Sequence, residues 1–110
     1  MKLKLEKEMI IYRLLPKPLG KAKELRISLR YQKEWKRGIY ADIAPVDRSK
    51  GKDIIHKGGI TILVKPLNRR MEKERERIFT VMEFLADGIA AFFSAGDRED
   101  DIESYIRNNV

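Results

Sequence analysis

The apolar residues of this chain follow two different periods along its length. Up to about Leu67 they alternate with polar residues, and beyond it they recur every three to four residues. Alternation is typical of strands that bury one face, and three-to-four spacing is typical of amphipathic helices. The pattern predicts a single α+β domain over residues 1–110, with a sheet at about 8–66, a long helix at about 69–95 and a short terminal helix at about 98–108.

Four strands are predicted in the first half, and they form an antiparallel sheet on which the long helix packs. They occupy residues 8–15, 25–32, 39–46 and 60–66. Segment 16–20 contains two prolines, which cannot donate to a strand ladder, so this segment is predicted to be a loop. The polar segment 47–57 is predicted to be another loop.

Residues 25–32 have the strictest alternation in the chain. Apolar side chains hold the odd positions, while Arg26, Ser28, Arg30 and Gln32 hold the even ones. Such a strand buries one side and presents the other, here a basic one, to solvent. Tyr40 on the following strand faces the same side if the turn between the two strands is a simple hairpin.

The helical half predicts contacts beyond the sheet. Asn68 is a suitable N-cap for the long helix, and Gly96 is a suitable C-terminal stop. The second half of this helix is apolar over more of its circumference than one sheet covers, so we expect a homodimer formed through the long helix. The short helix presents Ile102, Tyr105 and Ile106 as a small docking face.

Charge is divided unevenly along the chain, whose formal net charge is +7. Residues 1–70 contain 19 basic and 7 acidic residues, a net of +12, whereas residues 71–110 contain 5 and 10, a net of −5. A basic half of this kind favours a polyanionic partner. The alternative is that a lysine-rich surface only keeps a small domain in solution.

Few residues are suited to catalysis or to cofactor binding. The chain has no cysteine, which excludes disulfides and thiolate sites, and its one histidine, His56, cannot form a zinc site alone. The acidic residues in segment 97–103 begin a predicted helix, where the helix dipole favours negative charge. We therefore predict a protein that is not an enzyme and needs no cofactor.

Nothing in the pattern predicts export or membrane insertion. Residues 1–8 lack the apolar run of a signal peptide and the arginine- and serine-rich pattern of a transit peptide. The longest apolar stretch, residues 78–93, is too short to span a bilayer and contains Glu83 and Asp87. We predict a cytoplasmic protein with no membrane partner.

Basic and aromatic residues gather around the predicted solvent face of the sheet. Arg26 and Arg30 lie about 13 Å apart on one strand, a distance at which they can meet two phosphates of an extended nucleic acid. Trp35 and Tyr40 are positioned to stack on bases, each stack contributing about 1–3 kcal/mol. The predicted site for single-stranded DNA or RNA comprises Arg26, Ser28, Arg30, Lys33, Trp35, Lys36, Arg37, Tyr40, Lys50, Lys52, Lys57 and Lys65.

Each of these residues also has a simpler alternative role. Trp35 can pack over an edge of the sheet, and Tyr40 can cover its neighbours. The two arginines can pair with Glu24 or Asp42, and the lysines can be merely solvated. For the whole protein, the alternative is a protein–protein adaptor or structural subunit that uses the apolar helix and has no nucleic-acid role.

Three short segments are similar to those of one known family. They are ISLR at residues 27–30, GIYADI at 38–43 and KGGITI at 57–62. In this order, with a helix after the fourth strand, they resemble the single-stranded DNA-binding domains of the transcriptional positive cofactor four and plant Whirly type. The resemblance covers about residues 25–85.

The resemblance implies a dimer formed through the helices. It also implies curved sheets that present basic grooves to single strands, largely without sequence preference. Arg30, Tyr40 and Lys57 match family positions that face this groove, whereas Ala44 stands where the family has an arginine and an extra glycine precedes Ile60.

Overall fold

Strands and helices succeed one another along the chain as the apolar pattern predicts. The computed structural model describes residues 9–33, 35–56, 58–96 and 99–110. Within them the strands are β1 (Met9–Leu19), β2 (Ala22–Gln32), β3 (Gly38–Asp47), β4 (Ile54–Ile55) and β5 (Ile60–Pro66). A 3-10 helix (Arg69–Glu74) leads into α1 (Arg75–Ser94), and α2 (Glu99–Asn109) follows. The predicted α+β fold class, an antiparallel sheet followed by a long and a short helix, is confirmed.

The sheet is antiparallel, with β1, β2 and β3 in sequential order and both β4 and β5 on the far side of β3. β5 pairs with the first part of β3, where Ile43 lies opposite Ile60. β4 pairs with the end of β3, where Val46 lies opposite Ile55. The predicted loop at 47–57 is therefore wrong in part, because two apolar residues within it continue the ladder.

β1 is longer than predicted because it is an edge strand. The predicted loop at 16–20 is wrong, since β1 continues through both prolines to Leu19, with a shift of register between Leu14 and Leu19. Proline is tolerated at an edge or a bulge, where no ladder hydrogen bond is lost. Between the prolines, the N–H of Lys17 donates to the Ser94 hydroxyl at 3.2 Å, and the Lys17 carbonyl accepts from it at 3.1 Å.

The core lies between one face of the sheet and the two helices. The odd positions of β2 and β3 point into it, as the alternation predicts, and the even positions point away. Burying one large aliphatic side chain contributes about 1.5–3 kcal/mol, so this layer dominates the stability of the domain. The largest fully buried side chains of this layer are those of Leu25, Ile27, Leu29, Ile39, Ile43, Ile62, Ile78, Met82, Ile89, Ile102 and Ile106.

α1 begins later than the predicted helix. Asn68 does act as a cap, its side-chain oxygen accepting a hydrogen bond from the Met71 N–H at 3.1 Å, but the segment that it caps is the 3-10 helix. A 3-10 turn is frequent at the start of an α-helix. Gly96 ends α1 as predicted, with a φ of 76° that glycine adopts without strain and an N–H that bonds the Phe93 carbonyl at 3.1 Å.

α2 covers much of the apolar surface that α1 leaves outside the sheet. Ile102 and Ile106, which were predicted to dock, are completely buried. Tyr105 lies against Gly88, where an added Cβ would overlap the tyrosine hydroxyl, and its ring centre is 5.0 Å from that of Phe92. The broad apolar surface of α1 is thus covered largely within one chain.

Candidate nucleic-acid interface

Four of the predicted site residues share one face of the sheet. Arg30 lies opposite Tyr40, Ser28 lies opposite Asp42, and Arg26 lies opposite Ala44, so the even positions of β2 and β3 form one surface. We call it the outer face, because the helices pack on the other side. The predicted strand register is confirmed, and with it the placement of Arg26, Ser28, Arg30 and Tyr40 together.

Arg30 organises one end of the outer face. Its Nε donates to Asp42 at 3.0 Å, and its Nη1 donates to Gln32 at 2.7 Å. Its guanidinium carbon lies 4.8 Å from the centre of the Tyr40 ring, within cation–π range. Asp42 is held from a second side by the Thr61 hydroxyl at 2.7 Å. Arg30 pairs with Asp42, which is the alternative role that the sequence also allowed for it, and it covers part of the Tyr40 ring.

The turn beyond Arg30 holds an aromatic ring out in solvent. Trp35 is 81% exposed, so it does not pack over the sheet edge. Trp35 and Lys36 have φ angles of 50° and 25°, the left-handed region that residues other than glycine rarely adopt. Gln32 donates to the Trp35 carbonyl at 3.2 Å, and the Tyr40 hydroxyl donates to the Lys36 carbonyl at 2.7 Å. These two bonds clamp the strained turn from both flanking strands.

The other end of the outer face is covered by the loop between β3 and β4, residues 48–53. Asp53 accepts a hydrogen bond from the Tyr12 hydroxyl and lies 3.4 Å from the Arg26 guanidinium. Arg48 lies 3.8 Å from the centre of the Tyr12 ring and pairs with Asp53 at 3.5 Å and with Glu24 at 3.3 Å. Cations and anions alternate in this cluster, so its charges are largely compensated.

The two ends of the outer face differ in how accessible they are to solvent and to a ligand, and we name them accordingly. The open end comprises Arg30, Gln32, Tyr40, Asp42 and the turn that carries Trp35. The covered end comprises Tyr12, Glu24, Arg26, Arg48 and Asp53. Between them lies a depression of about 280 Å³, bordered by Arg26, Ser28, Asp42, Ala44, Ile55 and Thr61.

Two ionisable groups at the covered end have shifted titration. The pKa of Tyr12 is raised, first because its hydroxyl donates to Asp53 and then because of burial and the Asp53 charge. The pKa of Asp47, at the start of the loop, is lowered because its carboxylate accepts hydrogen bonds from the hydroxyl and the N–H of Ser49 at 2.7 and 2.9 Å. Both contacts tie the loop to the sheet at neutral pH.

Some predicted site residues lie elsewhere. Arg37 donates to the Tyr31 hydroxyl at 3.3 Å, and Tyr31 belongs to the row that faces the helices. Lys65 pairs with Glu74 of the 3-10 helix at 3.1 Å. The prediction that these two line the groove is wrong. Arg37 is at an odd position, as the inward-facing Ile39 is. A register shift after Ile39 adds a residue in β5 and places Lys65 opposite Ile39, on the same side.

The remaining lysines fall into three groups. Lys33 and Lys36 are exposed in or beside the turn of the open end. Lys50 and Lys52 are exposed in the loop that covers the opposite end. Lys57 lies outside the described residues. These four described lysines therefore flank the outer face, two at each end.

Several contributors to the face escaped the sequence analysis. The alternation of β2 already placed Gln32 on the same face as Arg30. Nothing in the sequence indicated that the Gln32 side chain would bond the backbone of the turn. Asp53 and Arg48 lie in a polar loop whose path over Tyr12 depends on tertiary contacts. No periodicity could indicate that path, since the contacting residues are far apart in the chain.

Comparison with known proteins identified no relatives: no family model, curated protein or solved structure matches this chain. The likeness to the positive cofactor four and Whirly domains stays a prediction. In the described part of the chain, no group of three or more acidic or histidine side chains is placed to hold a metal ion. None of the described helices is long and apolar enough to span a bilayer.

Proposed function

We propose that this domain binds single-stranded nucleic acid, DNA or RNA, along its outer face. One observation carries the proposal: an indole that is 81% exposed stands in a clamped turn at the end of the row formed by Arg26, Arg30 and Tyr40. These bonds hold the backbone that carries the ring, so the turn itself loses little conformational freedom when a base stacks there. Stacking of this kind tolerates every base, because each base has a π face.

The arginines of the outer face remain suitable for phosphate despite their acidic neighbours. A guanidinium has five N–H donors, so pairing with one carboxylate does not exhaust it. The Nε of Arg26 has no hydrogen-bond partner among the described residues, but it is buried, so a phosphate reaches it only if the covering loop moves. The Asp42 and Asp53 side chains are 42% and 22% exposed, so solvent weakens their hold on the arginines. A phosphate competes with them on favourable terms.

Exposed lysines extend the positive surface at both ends. Lys33 and Lys36 accompany Trp35, and Lys50 and Lys52 lie in the covering loop. Phosphate neutralisation by such side chains needs no fixed geometry and carries no sequence information. We propose binding with little sequence preference and with strong dependence on salt.

The experiment is a titration of a labelled oligo-dT strand followed by fluorescence anisotropy over a range of salt concentrations. Replacing both Arg26 and Arg30 with alanine removes two phosphate contacts, each of which is worth a net of about 1 kcal/mol because a carboxylate partner is displaced. We expect affinity to fall by at least about tenfold and the salt slope to decrease by about 1.4. Trp35 is the only tryptophan, so quenching of its emission reports on the proposed stack directly.

A matched control removes two cations that are also four residues apart in sequence, here from the helical side. Lys73→Ala with Arg77→Ala also lowers the net charge by two, and both side chains are exposed. This variant should bind with an affinity close to that of the parent chain. Equal losses in the two double variants would mean that only net charge matters, and the outer face would lose its assigned role.

One observation favours the alternative, a protein–protein adaptor that uses the apolar helix. Phe84 on α1 is 83% exposed, although most of the apolar surface around it is covered. An exposed phenylalanine of this kind is suited to contact with another polypeptide. It also agrees with the proposed homodimer through the long helix. A chain that does not bind oligo-dT but self-associates would favour the structural role.

A further inference from the structure

Among the described residues, one long segment of strand edge has no partner strand and no helix against it. β5, at one edge of the sheet, lies against α2, and Arg107 donates to its Leu63 carbonyl at 3.3 Å. On the opposite edge, the prolines and the Ser94 hydroxyl close the second half of β1. No described strand pairs with the free side of residues 9–14, and the one side-chain bond to the backbone of this segment that the structure gives is from Arg13 to the Tyr12 carbonyl at 2.9 Å. An unprotected edge of this kind is a template for pairing with another strand.

Exposed apolar side chains border the same edge on both sides of the sheet. On the outer face, Ile10 is 43% and Leu14 is 75% exposed. On the helical side, Phe84 is 83% exposed and lines a surface depression together with Arg13 of β1. These three are most of the large, exposed apolar side chains among the described residues, the others being Trp35 and Ile55. Natural edge strands usually carry charge or proline to prevent pairing.

We infer that residues 9–14 of β1 pair antiparallel with the same segment of a second copy, about a two-fold axis at Tyr12. This register places Ile10 of each copy directly opposite Leu14 of the other. Cross-strand neighbours of this kind have Cβ atoms about 4.5–5.5 Å apart, so both exposed pairs become buried contacts. A two-fold interface requires such self-complementarity, and this segment supplies it on either side of Tyr12.

The helical layer points to the same axis. α1 runs alongside β1 in the same direction, because Arg13 contacts Asp87 at 3.3 Å and Lys17 contacts Ser94. Phe84 precedes Asp87 by three residues, about 4.5 Å of helix, and so lies beside residues 11–12 of β1. The two copies of Phe84 therefore lie at the level of the axis that the strand pairing defines. Two independent observations, one on each side of the sheet, give one centre of symmetry.

The partner is a second copy rather than an unrelated strand because the two halves of the surface complement each other. When the segment is turned by 180° about the axis, the exposed Ile10 of one copy lies opposite the exposed Leu14 of the other. The axis lies perpendicular to the sheet, so both outer faces lie on the same side of one continuous sheet. The inference does not depend on nucleic-acid binding, although the dimer would join two outer faces into a longer surface.

The absence of cysteine makes the register directly testable. Ile10→Cys and Leu14→Cys are prepared as separate proteins, mixed, and oxidised. In the inferred register the two new thiols are opposite each other, within reach of a disulfide. Two Ile10→Cys chains, or two Leu14→Cys chains, hold their thiols four residues out of register, about 13 Å apart.

We expect a covalent dimer in the mixture and none in either protein alone. Both positions are exposed in a single copy, so neither change should disturb folding, and far-ultraviolet circular dichroism checks this. Absence of the mixed disulfide, or equal crosslinking of one variant with itself, overturns the inferred pairing. Sedimentation of the unmodified chain as a monomer throughout its soluble range overturns it as well. Neither outcome bears on oligo-dT binding, which a monomer can also show.

Discussion

The two ends of the outer face are each built around one arginine of β2, yet they use it differently. At the open end, Arg30 contacts Asp42, Gln32 and Tyr40, and the last two hold the carbonyls of the turn. At the covered end, Arg26 contacts Asp53, a residue of the loop that lies over Tyr12. Arg30 therefore supports a backbone turn that presents an aromatic ring. Arg26 belongs to a cluster whose charges pair with one another.

The difference suggests separate contributions to binding. A clamped turn fixes the backbone of Trp35 before any ligand arrives, so stacking there costs little ordering of the chain. A loop held by side-chain contacts shields Arg26 and must be displaced, or outcompeted, before a phosphate gains full access. We therefore expect most of the affinity to come from the open end, with the covered end limiting it.

The largest effect of a single substitution is expected from Trp35→Ala. Loss of one base stack costs about 1–3 kcal/mol, which lowers affinity for oligo-dT by about fivefold to 150-fold. Stability should change little, because the indole is exposed and buries almost nothing. Anisotropy with a labelled strand measures the affinity, and thermal melting measures the stability. Trp35→Phe, which keeps a π face, should retain most of the affinity.

Other outcomes for Trp35→Ala would change which residues are assigned to the binding site. If Trp35→Ala binds like the parent chain while the double arginine variant binds poorly, the open end contributes phosphate contacts alone. If neither variant differs from the parent, the comparison between the two ends has no bearing on nucleic acid.

The sheet was predictable where its faces differ in polarity. β2 alternates so strictly that its register, and hence the shared face of Arg26, Arg30 and Tyr40, followed from the pattern. β5 was predicted with its observed bounds because turn residues flank a short apolar run. One-residue slips are costly in such strands, since they would move the whole apolar set into solvent.

The parts that escaped prediction depend on neighbours distant in the chain. The prolines of β1 are compatible with a strand only because that strand lies at an edge. Lys65 turns toward the helices through a local shift of register between β3 and β5. The covering of Arg26 by Asp53 joins residues 27 positions apart across two strands. None of these facts leaves a trace in the local alternation.

A smaller and opposite effect is expected from Asp53→Asn. The change removes the carboxylate that pairs with Arg26 and Arg48 and bonds Tyr12, which loosens the covering loop and leaves both guanidiniums without that partner. Partly exposed ion pairs are worth about 0.2–1 kcal/mol, so affinity for oligo-dT should rise by about twofold to fivefold. The matched control is Glu76→Gln, an equal change of charge on an exposed position of α1.

The sign of this change is what matters. If Asp53→Asn weakens binding while Glu76→Gln does not, the covering loop contributes to the bound state instead of limiting it. An equal gain in both variants would reflect net charge alone and would leave the covered end without a role in access.

The smallest effect concerns the response of the covering loop to alkaline pH. Hydrogen bonding to Asp53 raises the pKa of Tyr12 above its ordinary value of about 10. A raised pKa in the folded state means that the contact stabilises the fold fully below the ordinary value and is lost as pH rises through the raised one. Protection of the loop amides from hydrogen exchange should therefore stay constant, after correction for intrinsic rates, until pH approaches 10 and should then decline.

Tyr12→Phe separates this titration from that of the lysines, which lose their charge in a similar range. The phenylalanine ring keeps the contact with Arg48 but cannot donate to Asp53, so loop protection should be lower at neutral pH and should lack the tyrosine-linked step. A step that persists unchanged in Tyr12→Phe would assign it to lysine. The hydroxyl of Tyr12 would then have no part in holding the loop, and the closure of this end would depend on the arginines alone.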